Sequence, residues 1–323
     1  MINVLLVGAG NLGRRHLQSM KNSVEPLNIF VVEPFEAARE QAEKIFRETK
    51  SDTVEKVVSF HRSLEKIDRT IDIVIDATPA SGRLDILKQV LALGAKDLLL
   101  EKVAFNAVPD IEEASVLIEK YNARAWVNCP RRLNPFYIQL RETLESSKIE
   151  RFEVVGENFG MACNAIHFID LFAFLAKKAN YHISLDKVSE ILPSKRNNYI
   201  EFFGEITGTF ESGPEFELAC QQSSNEVGFK IRIVTLDEEY VIDEIAGNVE
   251  IIKKDGGKEV NSFRQPYQSE LTAGLIDEII SKQMCGLTEF SESMALHRPF
   301  ISEAYSLYAS KNEKNSLKMV PIT

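Results

Sequence analysis

The segment VLLVGAGNLGRRH places Gly8, Gly10 and Gly13 directly after an apolar run and at the start of a helix-like stretch. Glycines at that spacing allow a tight turn, a close backbone approach to a pyrophosphate and close packing of helix on strand. A helix beginning there, with Asn11 and Leu12 between the glycines, offers unpaired N–H groups to phosphates. Glu33 follows at the end of the next apolar run, about 20 residues beyond Gly13, as in this motif generally, where a carboxylate accepts hydrogen bonds from an adenosine ribose. No cation follows it in VVEPFEA, so a 2′-phosphate would meet Glu33 and Glu36. The expectation is a dinucleotide cradle that prefers NAD to NADP. A structural turn followed by a surface Glu is the plainer alternative.

Lys102 comes just past LLLE, at the predicted end of a strand, where open α/β sheets gather ligands. Desolvation beside a bound cofactor would favour its neutral amine, the form able to take a proton. In GMACNAIHFIDLF, residues 160–172, Cys163, His167 and Asp170 share one face of a predicted helix. Asp170 is placed to orient the imidazole or to bond backbone nearby. Otherwise His167 is a satisfied core histidine. PRRLNPFY brings together Arg131, Arg132, Asn134 and Tyr137, either as a solvated basic turn or as a grip on a substrate anion. Arg83, in the SGR after DATPA, is a further candidate cation.

Apolar residues make up 44% of the 323 residues and charged residues 27%, within the ordinary range for a globular protein of two domains. The formal charge of −10 disfavours nucleic acid or an anionic membrane as partner. Cys129, Cys163, Cys220 and Cys285 have no metal-like spacing, which predicts no metal site and a reducing, cytoplasmic setting. No apolar run is long enough to span a bilayer, and the first residues lack a signal-peptide pattern.

The elements that must position these residues fall into two patterns. Apolar runs at 2–7, 28–32, 71–77, 97–101 and 124–128 alternate with helical spacing at 11–22, 35–47, 82–93 and 109–122. Alternation of this kind predicts βαβ units in a doubly wound parallel sheet. A helix is expected at 134–147, a strand at 151–158 and a helix at 164–178. Short alternating strands between 186 and 253 predict antiparallel hairpins. Helices at 267–282 and 289–311 close the chain. The expected domains are residues 1–125, holding the dinucleotide, and 126–323, an α+β substrate and oligomerisation domain whose C-terminal helix could pack back on the first.

The stretches VLLVGAGNLGRRHLQS, DATPA, LLLEKVAFN, VNCPRRLNP, NAIHFIDLF and LTEFSESMALHRPFI together resemble the Gfo/Idh/MocA oxidoreductase family. The resemblance implies an N-terminal Rossmann domain and a C-terminal α+β domain with an open, mostly antiparallel sheet. It implies hydride transfer between NAD and a secondary alcohol or ketone of a sugar, cyclitol or nucleotide sugar, and a homodimer or homotetramer. It places Thr78, Pro79, Glu101 and Lys102 beside the cofactor, with Lys102 and His167 at the reacting centre. It likewise assigns Asp170 to the catalytic set, Arg131 or Arg132 to the domain junction, and Asn164 and Tyr137 to the substrate side. Val103 departs from the family's usual proline. Cys163 stands where the family often has an Asp, which makes His167 the expected proton acceptor and Lys102 the alkoxide stabiliser. A weakly active or regulatory NAD-binding protein and a C=N or C=C reductase are the competing readings.

Overall fold

The computed structural model describes residues 1–51, 53–224, 226–311 and 318–323. Two compact units emerge: residues 1–105, 109–128 and 266–290 form the first, and residues 106–108, 129–265 and 291–323 the second.

In the first unit, β1 (Ile2–Val7), α1 (Asn11–Met20), β2 (Leu27–Val32), α2 (Glu36–Glu48) and β3 (Val57–His61) form one half. The other half runs through β4 (Ile73–Asp76), α3 (Arg83–Ala92), β5 (Asp97–Glu101), α4 (Val108–Lys120) and β6 (Arg124–Asn128). Strand order is β6-β5-β4-β1-β2-β3, all parallel, so the winding reverses between β1 and β4. β4 and β5 are buried at every residue, the signature of strands covered on both faces.

In the second unit, α5 (Pro135–Thr143), β7 (Ile149–Glu157) and α6 (Met161–Ala176) precede β8 (Tyr181–Ser184), β9 (Val188–Pro193), β10 (Ile200–Phe210) and β11 (Glu215–Gln221). There follow β12 (Gly228–Thr235), β13 (Glu238–Asp243), β14 (Asn248–Lys253) and β15 (Lys258–Ser262). Their sheet runs β15-β14-β13-β12-β7-β11-β10-β8, with β9 also paired to β10. Pairing is antiparallel except between β7 and β11. α6 lies against this sheet, with Phe172 stacked on Phe152 at 4.5 Å.

Then α7 (Gln268–Lys282) and the short β16 (Thr288–Glu289) return to the first unit, and α8 (Phe290–Lys311) ends in the second. β16 adds an antiparallel edge beside β6. This corrects a single cut at residue 125. α7 belongs to the first unit, where its Ala273 N–H donates to Ser19 Oγ of α1 at 3.0 Å. β3, β8, β15 and β16 were not expected. β15 is exposed throughout, so it carries no apolar alternation to read.

Candidate active site

Gly8 ends β1 with φ +87°, and a Cβ there would stand 3.1 Å from the Ala77 carbonyl and from Thr78 Cγ2. A Cβ on Gly13 would lie 2.0 Å from Gly8 O, so α1 can approach β1 only with glycine there. Gly10 precedes α1 without a side-chain cap, and the first turn carries no acidic residue. Its leading N–H groups are therefore offered to an anion. Asn11 and Leu12 are exposed at this turn.

Glu33 is buried. Its Oε2 accepts the Ala9 N–H at 2.8 Å and its Oε1 the Phe35 N–H at 3.0 Å. The carboxylate is thus fixed between the glycine turn and the end of β2, and each oxygen retains acceptor capacity. This donor and acceptor set fits a dinucleotide, with the turn on its phosphates and Glu33 on its adenosine ribose.

Past β4, Asp76 Oδ1 accepts the Thr78 N–H at 3.0 Å, and Pro79 beside it is exposed. Arg83 is fully buried. Its Nη1 donates to the carbonyls of Glu101 at 2.5 Å, Val103 at 2.7 Å and Ala104 at 2.8 Å, and its Nη2 to Thr78 O. Its Nε lies 3.6 Å from Asp76 Oδ2. Arg83 is therefore no substrate cation: it brackets the segments that carry Thr78 and Lys102. Burial pushes the Asp76 carboxyl up, and Arg83 only partly offsets this. Lys102 is half-buried, and the Lys102–Val103 peptide is cis.

Glu101, expected beside the cofactor, is buried and turns Oε1 inward. Its Oε1 meets His16 Nε2 at 2.9 Å and accepts from Asn128 Nδ2 at 2.5 Å. His16 Nδ1 lies 2.9 Å from Thr272 Oγ1, and Asn128 also donates to Gln268 at 2.9 Å. Burial opposes the Glu101 charge, but the hydrogen bonds from His16 and Asn128 outweigh it and hold the carboxyl below its ordinary range. α1, β5, β6 and α7 are tied together at the residue before Lys102. No sequence signal links His16 to Thr272, which lies 256 positions away.

The second unit commits its arginines. Arg131 grips Glu244 through Nε at 2.9 Å and Nη2 at 2.8 Å, and lies 4.3 Å over the Phe168 ring. Arg132 pairs with Asp170 through Nε at 3.0 Å and Nη2 at 2.9 Å. Tyr137 is fully buried and donates to Glu244 Oε1 at 2.7 Å. Burial, then the Glu244 charge, raises its phenol well above the usual range. Arg131, Arg132 and Tyr137, expected on the substrate side, are thus engaged by Glu244 and Asp170. Both guanidiniums are neutralised, and they contact α6 at Phe168 and Asp170, just after His167. Asp170 becomes the counter-ion of Arg132, a positioning residue. Cys163, Asn164 and His167 are half-buried, and Asn164 Nδ2 donates to Phe159 O at 2.6 Å.

Among the described residues, no group of three or more His, Cys, Asp or Glu could hold a metal ion, and no helix is long and apolar enough to cross a membrane.

Fold and turn together define a Rossmann-like dinucleotide-binding unit and a second, mostly antiparallel α+β unit. Residues 2–129 match the model of the GFO_IDH_MocA family, described as an oxidoreductase family with an NAD-binding Rossmann fold. NAD is the cofactor of this fold. No curated protein sequence matches the chain significantly. Solved structures share the fold over nearly the whole length. UDP-N-acetylglucosamine 3-dehydrogenase GnnA from Acidithiobacillus ferrooxidans is 14% identical, with TM-score 0.68 over 94% of this chain and 96% of that one. An oxidoreductase from Agrobacterium radiobacter, in complex with NAD+, L-tartaric acid and magnesium, is 11% identical, with TM-score 0.70 and 97% of each chain covered. Biliverdin reductase from Synechocystis sp. PCC 6803, with biliverdin and NADP+, is 11% identical, with TM-score 0.71 over 94% of this chain and 98% of that one.

Proposed function

We propose that this chain is an NAD-dependent oxidoreductase acting on a secondary alcohol or ketone of a sugar, cyclitol or nucleotide sugar. The observation that carries the reading is the Gly8–Gly13 turn, with Glu33 anchored beside it by the Ala9 N–H. The fold shared with a UDP-sugar 3-dehydrogenase supports the substrate class. NAD, when bound, supplies the hydride acceptor or donor. Lys102 stabilises the developing alkoxide, and His167 accepts the hydroxyl proton, its helix held by the Arg132–Asp170 pair and by Arg131 over Phe168.

Turnover of sugars, cyclitols and nucleotide sugars with NAD, read by absorbance at the reduced cofactor's band, tests the reading. On any active substrate, Lys102→Met and His167→Asn should each lower kcat by about 100-fold or more, with NADH affinity kept. Full turnover in His167→Asn together with loss in Lys102→Met would reverse the two roles. NADH binding without turnover on the whole panel would replace catalysis by a regulatory function. The fold shared with biliverdin reductase favours a second arm, reduction of C=N or C=C substrates with NADH.

We extend the proposal to a cytoplasmic homodimer or homotetramer formed through the outer face of the second sheet. That face carries the ion-pair row Arg151–Glu153–Arg232–Glu239 and exposed Val155, Val227 and Ile245. Light scattering on the purified chain reads the mass, and a monomer at micromolar concentration rejects this part.

A further inference from the structure

Of the 19 phenylalanines, Phe35 alone is exposed, at 73%, and every other one is buried or half-buried. It is the residue before the first turn of α2, seven and eleven positions ahead of Ala42 and Phe46, the buried residues of that helix. The spacing continues the apolar stripe of α2, yet the phenyl ring finds no cover. A single exposed apolar residue is ordinary on a surface. What sets this one apart is where its backbone is fixed.

The Phe35 N–H donates to Glu33 Oε1 at 3.0 Å, and the other oxygen of that carboxylate takes the Ala9 N–H of the glycine turn. Arg39 Nη1 donates to the carbonyls of Glu33 at 2.7 Å and Pro34 at 2.8 Å. The Arg39 N–H donates to the Phe35 carbonyl at 3.1 Å. Pro34 removes one further backbone freedom. The loop is thus rigid, and it presents an uncovered aromatic ring next to the carboxylate that suits an adenosine ribose.

We infer that Phe35 is the platform on which the purine base of the dinucleotide stacks, and that it sets a preference for an adenine-bearing cofactor. The inference rests on the cofactor reading above, in which the ribose 2′-hydroxyl donates to Glu33. In an adenosine the base is carried by the ribose carbon next to the one bearing that hydroxyl. A ribose held at Glu33 therefore delivers its base to the loop that carries Phe35. Stacking of a base on an aromatic side chain accounts for roughly 5- to 150-fold in affinity. Because the loop is already ordered, little of that gain is lost to fixing it.

Binding, not turnover, tests the role. Phe35→Ala should bind NADH about tenfold or more weakly, read by cofactor fluorescence. Phe35→Tyr, which keeps the π face, should stay within about twofold of the parent. Reduced nicotinamide mononucleotide lacks the adenosine half and should bind parent and Phe35→Ala alike. Phe35→Trp adds an exposed indole to a chain whose one tryptophan, Trp126, is buried, and AMP should quench its emission. NADH affinity in Phe35→Ala within about twofold of the parent overturns the inference. An equal loss for the mononucleotide also overturns it, since the substitution would then act on the glycine turn and not on the base. Emission of Phe35→Trp that AMP leaves unchanged does the same. A substrate panel without turnover rejects the oxidoreductase reading alone, because these readouts need no substrate.

Discussion

Arg83 Nη1 donates to the carbonyl of Val103 at 2.7 Å, and the same nitrogen reaches the carbonyls of Glu101 and Ala104. One buried guanidinium therefore holds the backbone on both sides of Lys102, while its other nitrogen ties in Thr78 from the neighbouring strand end. Five N–H donors in a rigid fork make this possible, and an ammonium group cannot span the same carbonyls. Arg83→Lys is expected to lower unfolding stability by about 3 kcal/mol, measured by chemical denaturation, because it strands buried carbonyls beside Asp76. In a double-mutant cycle with Asp76→Asn the losses should be less than additive. Additive losses would mean that the 3.6 Å separation between Arg83 and Asp76 carries no coupling.

Glu33 gives the second prediction. The Ala9 and Phe35 N–H groups hold the carboxylate where a ribose 2′-hydroxyl would donate to it and where a 2′-phosphate would be repelled. NADH is expected to bind at least about tenfold more tightly than NADPH, and Glu33→Ala to narrow the ratio. Titration of cofactor fluorescence measures both constants, and tighter NADPH binding would remove the role given to Glu33.

What could be read in the sequence was local. The glycine turn, the buried parallel strands and the helix around His167 each lie within one stretch of chain, and their periods specify them. The partners of the charged residues were not local. Glu244 lies 113 positions from Arg131, and Asp170 lies 38 from Arg132, so spacing could not say that these arginines were neutralised. Tyr137 is read as a substrate contact from its place in PRRLNPFY, and folding brings Glu244, 107 positions away, to its hydroxyl. The same blindness hid Glu201, which caps α6 from a strand 39 positions away. Short or fully exposed strands such as β16 and β15 leave no pattern of burial to recognise.

Glu244 also sets a pH dependence. Burial opposes its charge, but Arg131 and the hydrogen bonds from Arg131, Tyr137 and Gln265 hold its carboxyl below the ordinary range in the folded protein. A carboxyl depressed on folding contributes stability above its unfolded value, about 4.3 for Glu, and loses it as pH falls through the folded value. Glu244→Gln is therefore expected to cost about 3 kcal/mol near neutral pH and to flatten the fall in Tm below about pH 4.3. Calorimetry from pH 7 to pH 3 measures both, and parallel Tm curves for parent and variant would exclude Glu244 as a source of acid sensitivity.

The two glycines of the turn separate a structural role from a binding one. Gly13 is required by the fold, since its Cβ would stand 2.0 Å from Gly8 O, so Gly13→Ala must push α1 from β1. That variant should lose about 2 kcal/mol or more of stability along with NADH binding. Gly10 has no such constraint. Its φ of −64° suits any residue, and a Cβ there would meet nothing within 4 Å. Among the described residues nothing calls for glycine at that point, which suits a group approaching the backbone from outside. Gly10→Ala is expected to change unfolding stability by less than about 0.5 kcal/mol, yet to weaken NADH binding about tenfold or more by displacing the phosphates from the helix N-terminus. Denaturation and cofactor titration on the same preparation decide it: a Gly10→Ala variant that binds NADH as the parent does would reduce the turn to a tight strand ending.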